Sequence, residues 1–416
     1  MGSSATSKRS GFTQSIETAG ILLRSTTVRR AWLNNTLKEI SYTHAGLRSL
    51  AHPQVFEIET TNACPYTCIM CPRTHAMTRP IGHMDIRLFR DIVDQSRPEW
   101  QMDHVRAKPT MRLLHYGEPM VYTHFAESID HCHRRGFSVY ISTNPSVWTD
   151  RLIEETLDTA VDDLWVMVDG LDDATSMAIR GNAASFERGE RNIRELARRK
   201  VHRGLSLPRI TIAMIRQPKN AHQWEQFESY WRDVDGIDAV YLAHFSTFDG
   251  GVKEINDVAR EFAESNATQS RQMTKQRSLS QFPCYYPWHS ISILWDGQVV
   301  PCCRDFDASM ILGDLNRQTI AQIWNGSRMQ RLRRNFTRGR WVGRPCETCE
   351  EASLEIGLPG RHYPVSTILR RLGVGRMNRC AGDRIAKNHS LVGAQNLAPL
   401  AHMSKTRRQP TEMATR

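Results

Sequence analysis

Three cysteines inside eight residues constrain this chain more than any other feature. Cys64, Cys68 and Cys71 stand at Cys-X3-Cys-X2-Cys spacing, directly after the strand-like run Val55–Thr60. Three thiolates on one short loop can hold three irons of a cubane cluster and leave the fourth iron open. An open iron is a place to bind and activate something. Two plainer readings are a structural zinc loop and unrelated buried thiols. Zinc, however, usually takes four protein ligands, often as paired Cys-X2-Cys knuckles.

The rest of the cysteine inventory supports metal or redox use. The chain of 416 residues has ten cysteines, no apolar run of membrane-spanning length and no secretory start, which points to a reducing, cytoplasmic setting. The net charge of +11 collects in Arg188 to Lys200, Arg328 to Arg340 and the tail. These segments read as solvated basic faces, one of which an acidic electron-donor protein can also use. There is no RNA-recognition motif and no basic stripe interleaved with aromatics. Neither nucleic acid nor a membrane is an expected partner.

Along the chain, residues 1–50 read as a helical extension. From 51 to 245, strand-like runs (Val55–Thr60, Met111–Tyr116, Phe137–Ser142, Leu164–Val168, Arg209–Ile215, Ala239–Phe245) alternate with helical patterns. The helical stretches are Asp85–Gln95, His124–Arg135, Thr149–Thr159, Phe186–Arg199 and His222–Arg232. That alternation predicts an α/β fold with six parallel strands, a partial β/α barrel whose chemistry gathers at the carboxyl ends of its strands. Residues 246–283 read as a linker, 284–355 as a small cysteine-bearing domain, and 356–416 as a basic, partly disordered tail. Within the small domain, Asp296-Gly297 between two apolar runs predicts a hairpin, and Thr319 to Arg334 predicts one amphipathic helix.

Three further stretches end strands: Tyr116-Gly117-Glu118-Pro119, Ser142-Thr143-Asn144-Pro145 and Val168-Asp169-Gly170, the last followed by Ile179-Arg180-Gly181. With the cysteine loop, they resemble the radical S-adenosylmethionine (SAM) superfamily. Tyr116 replaces the first glycine of its Gly-Gly-Glu-Pro motif, and Pro145 replaces the glycine of its Thr-Asn-Gly stretch. The resemblance implies that Cys64, Cys68 and Cys71 hold a SAM-binding 4Fe–4S cluster and carry the catalysis. Gly117, Glu118 and Pro119 are expected along the methionyl amino group. Ser142, Thr143 and Asn144 are expected near the ribose and carboxylate, and Tyr66 and Met70 beside the adenine. Arg180 is a candidate partner of the SAM carboxylate, because a guanidinium fork suits that group; Asp169 is read as the residue that can instead hold Arg180 in place.

Cys284, Cys302, Cys346 and Cys349 resemble a twitch domain, the short form of the SPASM domain, and imply one fully ligated auxiliary 4Fe–4S cluster. The same four thiolates suit zinc as well. Cys303 reads as a bystander beside Cys302 or as its substitute, and Cys132 and Cys380 as structural or free thiols. His115 and His244 lie at or near strand ends, and Arg73 and Arg79 just past the cysteine loop, where each faces either substrate or merely its surroundings. The implied activity is reductive SAM cleavage to a 5′-deoxyadenosyl radical, which takes hydrogen from a substrate. Twitch-type relatives point to a small-molecule substrate, sugar-like or aminocyclitol, undergoing dehydrogenation, deoxygenation or epimerisation. The alternatives are maturation of a ribosomally made peptide and, in another class, a non-catalytic iron–sulfur or zinc scaffold. A flavodoxin- or ferredoxin-type protein is the expected electron donor.

Overall fold

The structure, a computed structural model, describes residues 52–96, 110–265 and 284–349, apart from 54, 285, 338, 339, 341 and 342. The expected extension over 1–50, residues 266–283 of the linker, the end of the small domain after 349, Cys380 and the tail over 356–416 lie outside the described residues.

The amino-terminal strands are β1 (Val55–Ile58), β2 (Thr110–Leu113), β3 (Ser138–Thr143), β4 (Asp163–Met167), β5 (Arg209–Ile215) and β6 (Ala239–Ala243). Neighbours among them pair in parallel. Each is followed by helix: α1 (Pro72–His75) and α2 (Ile86–Gln95) after β1, α3 (Phe125–Arg134) after β2, and α4 (Asp150–Asp158) after β3. Then come α5 (Asp173–Arg180) and α6 (Phe186–His202) after β4, α7 (Trp224–Arg232) after β5 and α8 (Lys253–Ser265) after β6. Helix starts follow their capping residues: Asp85, Thr149 and Ser185 each accept a hydrogen bond from a first-turn amide.

Because side chains alternate across a strand, the sheet has two unlike faces. One carries Phe56, Ile58, Met111, Val139, Ile141, Leu164, Val166, Ile210 and Ile212, which pack with Phe89, Ile92, Ile129, Ile193, Phe227 and Trp231 of the helices. The other carries Glu57, Arg112, Tyr140, Trp165 and Tyr241. The Arg112 guanidinium lies 4.8 Å over the Tyr140 ring, Tyr140 is 5.9 Å from Trp165, and Trp165 is 5.3 Å from Tyr241. The three aromatics on this face are only half-buried, whereas the opposite-facing Ile141, Leu164 and Val166 are fully buried. The inner face is therefore lined rather than filled.

The sheet is larger than six strands. β7 (Ser290–Ile293) pairs in parallel with β1 on the side away from β2, and β8 (Gln298–Val300) and β9 (Gly313–Asp314) continue it antiparallel. The order is β6-β5-β4-β3-β2-β1-β7-β8-β9, so seven strands run parallel and β1 lies inside the sheet. The hairpin between β7 and β8 turns at Asp296-Gly297 as expected, with Gly297 at φ +88°. Three helices complete the carboxyl-terminal part: α9 (Tyr286–His289), α10 (Ile320–Trp324) and α11 (Ser327–Thr337). The single helix expected over Thr319 to Arg334 is two, because Asn325 caps α10 and the chain restarts after Gly326.

Candidate active site

The cysteine loop leaves the carboxyl end of β1, and its main chain is gripped from several sides. Arg73 donates Nε to the Asn62 carbonyl at 2.7 Å, Nη2 to that of Cys64 at 2.9 Å and Nη1 to that of Tyr66 at 3.3 Å. From α5, the Arg180 and Ile179 carbonyls accept the Thr67 and Ile69 amides at 3.0 and 2.9 Å. From the end of β2, the Glu118 amide donates to the Ala63 carbonyl at 2.9 Å. Two glycines permit this closeness. A Cβ at Gly117 (φ +133°) would lie 2.2 Å from the Thr61 carbonyl, and one at Gly181 (φ +85°) 2.0 Å from Thr67 Oγ1. Asn62, fully buried, ties the loop to the following segment through Pro80 and Gly82 at 2.9 and 2.8 Å.

These contacts engage the main chain and leave three thiols grouped together. Burial pushes the Cys64 thiol up to about 11 and the Cys68 thiol to about 12, and raises Cys71 as well; the neighbouring sulfurs add to the rise at Cys64 and Cys68. A buried cationic metal cluster reverses this preference by stabilising thiolates. Cys64, Cys68 and Cys71 offer three thiols, where a structural zinc takes four protein ligands. A tetrahedral zinc draws its sulfurs to about 2.3 Å from one point, whereas a cubane spreads them over separate irons. The donor set fits the cubane.

Beneath the loop, one hydrogen-bonded arc crosses four strand ends. Glu118, fully buried, accepts from Met120 N at 3.1 Å, Thr143 Oγ1 at 2.5 Å, and the Asn144 amide and Nδ2, each at 2.9 Å. Asn144 Oδ1 accepts from Arg180 Nη1. Arg180 Nη2 meets Asp169 at 2.6 Å, and Asp169 also accepts the Ile215 amide at 2.8 Å. Arg180 Nη1 lies 4.0 Å from Cys68 Sγ. Burial opposes the Arg180 cation, but Asp169 and the thiols outweigh it and its pKa is raised. Burial raises the Glu118 carboxyl against the pull of its hydrogen bonds.

The structure places the other expected site residues around this arc. The four lone-pair directions of the Glu118 carboxylate are taken, so its side chain joins the ends of β2 and β3. Asp169 does hold Arg180. Pro145 is accommodated as the first residue of a 3-10 turn, and the extended Asn144 before it (φ −103°, ψ 123°) aims its amide at Glu118. Ser142 stays outside the arc, half-buried on the inner face beside Trp165. Tyr66 and Met70, expected beside adenine, are covered by protein in a small core with Ile179 and Ala184; Tyr66 Oη lies 2.5 Å from Ser146 Oγ. Pro119 is buried at the start of the turn after Glu118. Arg73 serves the loop, and Arg79 forms a two-pronged ion pair with buried Glu59 at 2.7 and 2.9 Å while donating to the Phe306 carbonyl at 2.8 Å. The buried His115 side chain lies 3.4 Å from Glu59, and burial lowers its pKa; His244 is exposed past β6. Cys132 belongs to the main core.

Residues the sequence reading did not single out are Asn62 as a tether, Ser146 and helix α5. The last had a signal: Asp172 accepts the Thr175 amide at the start of α5, and Gly181 closes it.

The second cysteine set is assembled by the fold. Cys284 precedes α9, Cys302 follows β8, and Cys346 and Cys349 sit in the turn after α11. Burial raises the Cys302 thiol far above its usual value, and the Cys303, Cys346, Cys284 and Cys349 thiols add to it, so five sulfurs share one electrostatic neighbourhood. Burial takes Cys346 to about 12. Tyr116 links the two sets. Its hydroxyl donates to the Cys303 carbonyl at 2.9 Å, and its ring packs with Phe248 and Phe306 in a cluster that Cys71 borders.

With this geometry in hand, the comparisons are decisive at family level. Residues 58–217 match the model of the radical SAM superfamily, and residues 284–350 match SPASM, an iron–sulfur cluster-binding domain. The chain belongs to the radical SAM superfamily. Membership implies a 4Fe–4S cluster and SAM, and the second match implies auxiliary iron–sulfur binding. This radical SAM chain is similar to a tungsten-containing aldehyde ferredoxin oxidoreductase cofactor-modifying protein of Pyrococcus furiosus, 22% identical over 65% of this chain and 80% of that one. It is also similar to an S-adenosyl-L-methionine-dependent 2-deoxy-scyllo-inosamine dehydrogenase of Niallia circulans, 19% identical over 72% and 94%. Among solved structures, SuiB of Streptococcus suis bound to precursor peptide SuiA shares the fold, with a TM-score of 0.54 and 14% identity over 86% of this chain and 85% of SuiB. No helix among the described residues is long and apolar enough to cross a membrane.

Proposed function

We propose that this radical SAM enzyme oxidises, or otherwise remodels at an unactivated carbon, a small sugar-like or aminocyclitol substrate. The observation that carries the radical site is the arc Glu118–Asn144–Arg180–Asp169 beneath the cysteine loop: it gives Cys64, Cys68 and Cys71 a rigid platform at the strand ends. When bound, cluster and SAM supply one-electron SAM cleavage and hydrogen abstraction from the substrate. The chain's own residues then orient and enclose. Arg73, α5 and Gly117 fix the loop. The main-chain carbonyls around Gly117 are left as acceptors for an ammonium, because the Glu118 side chain is engaged. Arg180, charged and rigidly held, favours a carboxylate nearby.

The substrate reading rests on the inner face. Half-exposed Tyr140, Trp165 and Tyr241 offer flat surfaces to the C–H faces of a ring, while Arg112 and Ser142 offer polar groups to hydroxyl or amino substituents. The likeness to the inosamine dehydrogenase points the same way. Cys284, Cys302, Cys346 and Cys349 are proposed to hold one auxiliary cluster, placed to accept an electron from the substrate.

The test is 5′-deoxyadenosine formation by anaerobically reconstituted, reduced protein across a panel of aminocyclitols, amino sugars and peptides. A rise with one deuterated ring compound, with deuterium recovered in 5′-deoxyadenosine, is the expected result. A rise with a peptide alone would replace the substrate class. Undiminished cleavage by Cys64→Ala would remove the mechanism.

A further inference from the structure

Two helices of this protein are rich in arginine, and they treat that charge differently. On α6 and at its end, Arg194, Arg198, Arg199 and Arg203 are neutralised by Glu190, Glu195, Glu154, Asp150 and Asp158, within the helix or from α4. Between Leu315 and Cys346, by contrast, the sequence has eight arginines, no lysine and no acidic residue. Arg333 of this segment is buried, donating Nε to the Pro287 carbonyl at 2.7 Å and Nη1 to that of Trp324 at 2.9 Å. Arg317, Arg328 and Arg331 are exposed. The ion pair from Arg317 to Asp314 is long, 3.7 Å, with the arginine side chain 84% exposed. The opposite face of α11, Met329, Leu332 and Phe336, packs into the main apolar core. Arg328 and Arg331 thus lie on the outer side of α11 and Arg317 in the loop before α10, all within the segment that leads to Cys346 and Cys349.

We propose that this face, built from Arg317, Arg328 and Arg331, docks a small acidic one-electron carrier protein of the flavodoxin or ferredoxin kind. The inference rests on the proposed function, because that chemistry requires electrons one at a time. The reduced carrier gives up one electron and is oxidised; an iron–sulfur cluster of this protein takes it and is reduced, with no bond made or broken. Charge complementarity steers such encounters and sets their rate. Nucleic acid is the less favoured occupant, because Trp324 and Phe336 beside the arginines are buried and unavailable for stacking on bases.

The experiment is calorimetric titration of reconstituted full-length protein with oxidised flavodoxin, read without turnover, alongside flavodoxin-driven and dithionite-driven 5′-deoxyadenosine formation. Wild-type affinity is expected to fall at least about tenfold as salt rises from ~0.01 to ~0.15 M, which shortens the screening length from about 30 to about 8 Å. R317E/R328E/R331E is expected to lose binding and flavodoxin-driven turnover by about tenfold or more while keeping its dithionite-driven rate. R317E/R331E, which spares the bond from Arg328 to the Ile311 carbonyl, guards against misfolding. Unchanged flavodoxin affinity in both variants would overturn the proposal. So would RNA binding that the variants abolish while flavodoxin binding persists. Absence of 5′-deoxyadenosine from wild type even with dithionite would count against the proposed function, whereas charge-dependent flavodoxin binding would still support the docking face.

Discussion

The two cysteine sets are held by opposite strategies. Cys64, Cys68 and Cys71 lie on one loop, and the fold's task there is to pin a short main chain with Arg73, α5 and the Gly117 turn. Cys284, Cys302 and the Cys346–Cys349 turn come from three places, gathered by β7, β8 and helices α9, α10 and α11. A local site depends on its immediate braces; a dispersed one depends on the whole carboxyl-terminal packing. An arginine does the bracing in both, Arg73 through three loop carbonyls and Arg333 through the Pro287 and Trp324 carbonyls.

The largest separation between the sets should come from removing a thiol in each. Cys64→Ala is expected to drop 5′-deoxyadenosine formation by more than about a hundredfold. Cys302→Ala is expected to keep SAM cleavage within a few-fold while iron per chain falls from about eight to about four, read by iron analysis and EPR. Equal loss in both variants would mean the two sets form one unit. Gly117→Ala comes next. A Cβ 2.2 Å from the Thr61 carbonyl at φ +133° forces the loop to move, at a cost of about 2–4 kcal/mol. The expected readout is a lowered Tm together with weakened SAM binding, with the auxiliary signal unchanged.

The smallest and sharpest contrast pairs the two arginines. Arg73→Met should cost about 2–3 kcal/mol by stripping three carbonyls of a charged donor, and selectively lower reconstitution of the SAM cluster. Arg333→Met replaces a fully buried cation with an apolar side chain of similar length, so relief of burial offsets part of the loss. It should cost about 1–2 kcal/mol and diminish only the auxiliary signal. Identical spectra from the two variants would erase the distinction between local and dispersed bracing.

What could be read beforehand follows the same division. The six amino-terminal strands were legible to within two or three residues at their ends, because each shows an apolar face to the helices at period two. The hairpin at Asp296-Gly297 was legible from turn chemistry. The pairing of β7 with β1 was not, since no local pattern reports a parallel partner more than 200 residues away. In the site, the cysteine loop announces itself by spacing. The engagement of Glu118 by Thr143 and Asn144, the burial of Tyr66 and Met70, and the use of Arg73 as a brace depend on which strand ends adjoin. Helix α5 escaped notice because it is short and was read only through its terminal Arg180-Gly181.

The place of β1 has a consequence for how the chain is made. Its pairing with β2 becomes possible once residue 113 has emerged from the ribosome, but its other edge is matched only when Ser290–Ile293 arrives. Throughout that interval β1 is a template open on one side, of the kind that invites pairing with a neighbouring chain. The buried Glu57 lies on this strand and the buried Glu59 directly after it, and Ser292 and Trp295 from β7 and its turn later bond to them at 2.8 and 3.3 Å. Until then two carboxylates sit where a stray apolar strand would have to bury them, so the groups that complete the native sheet also discourage its premature completion by another molecule.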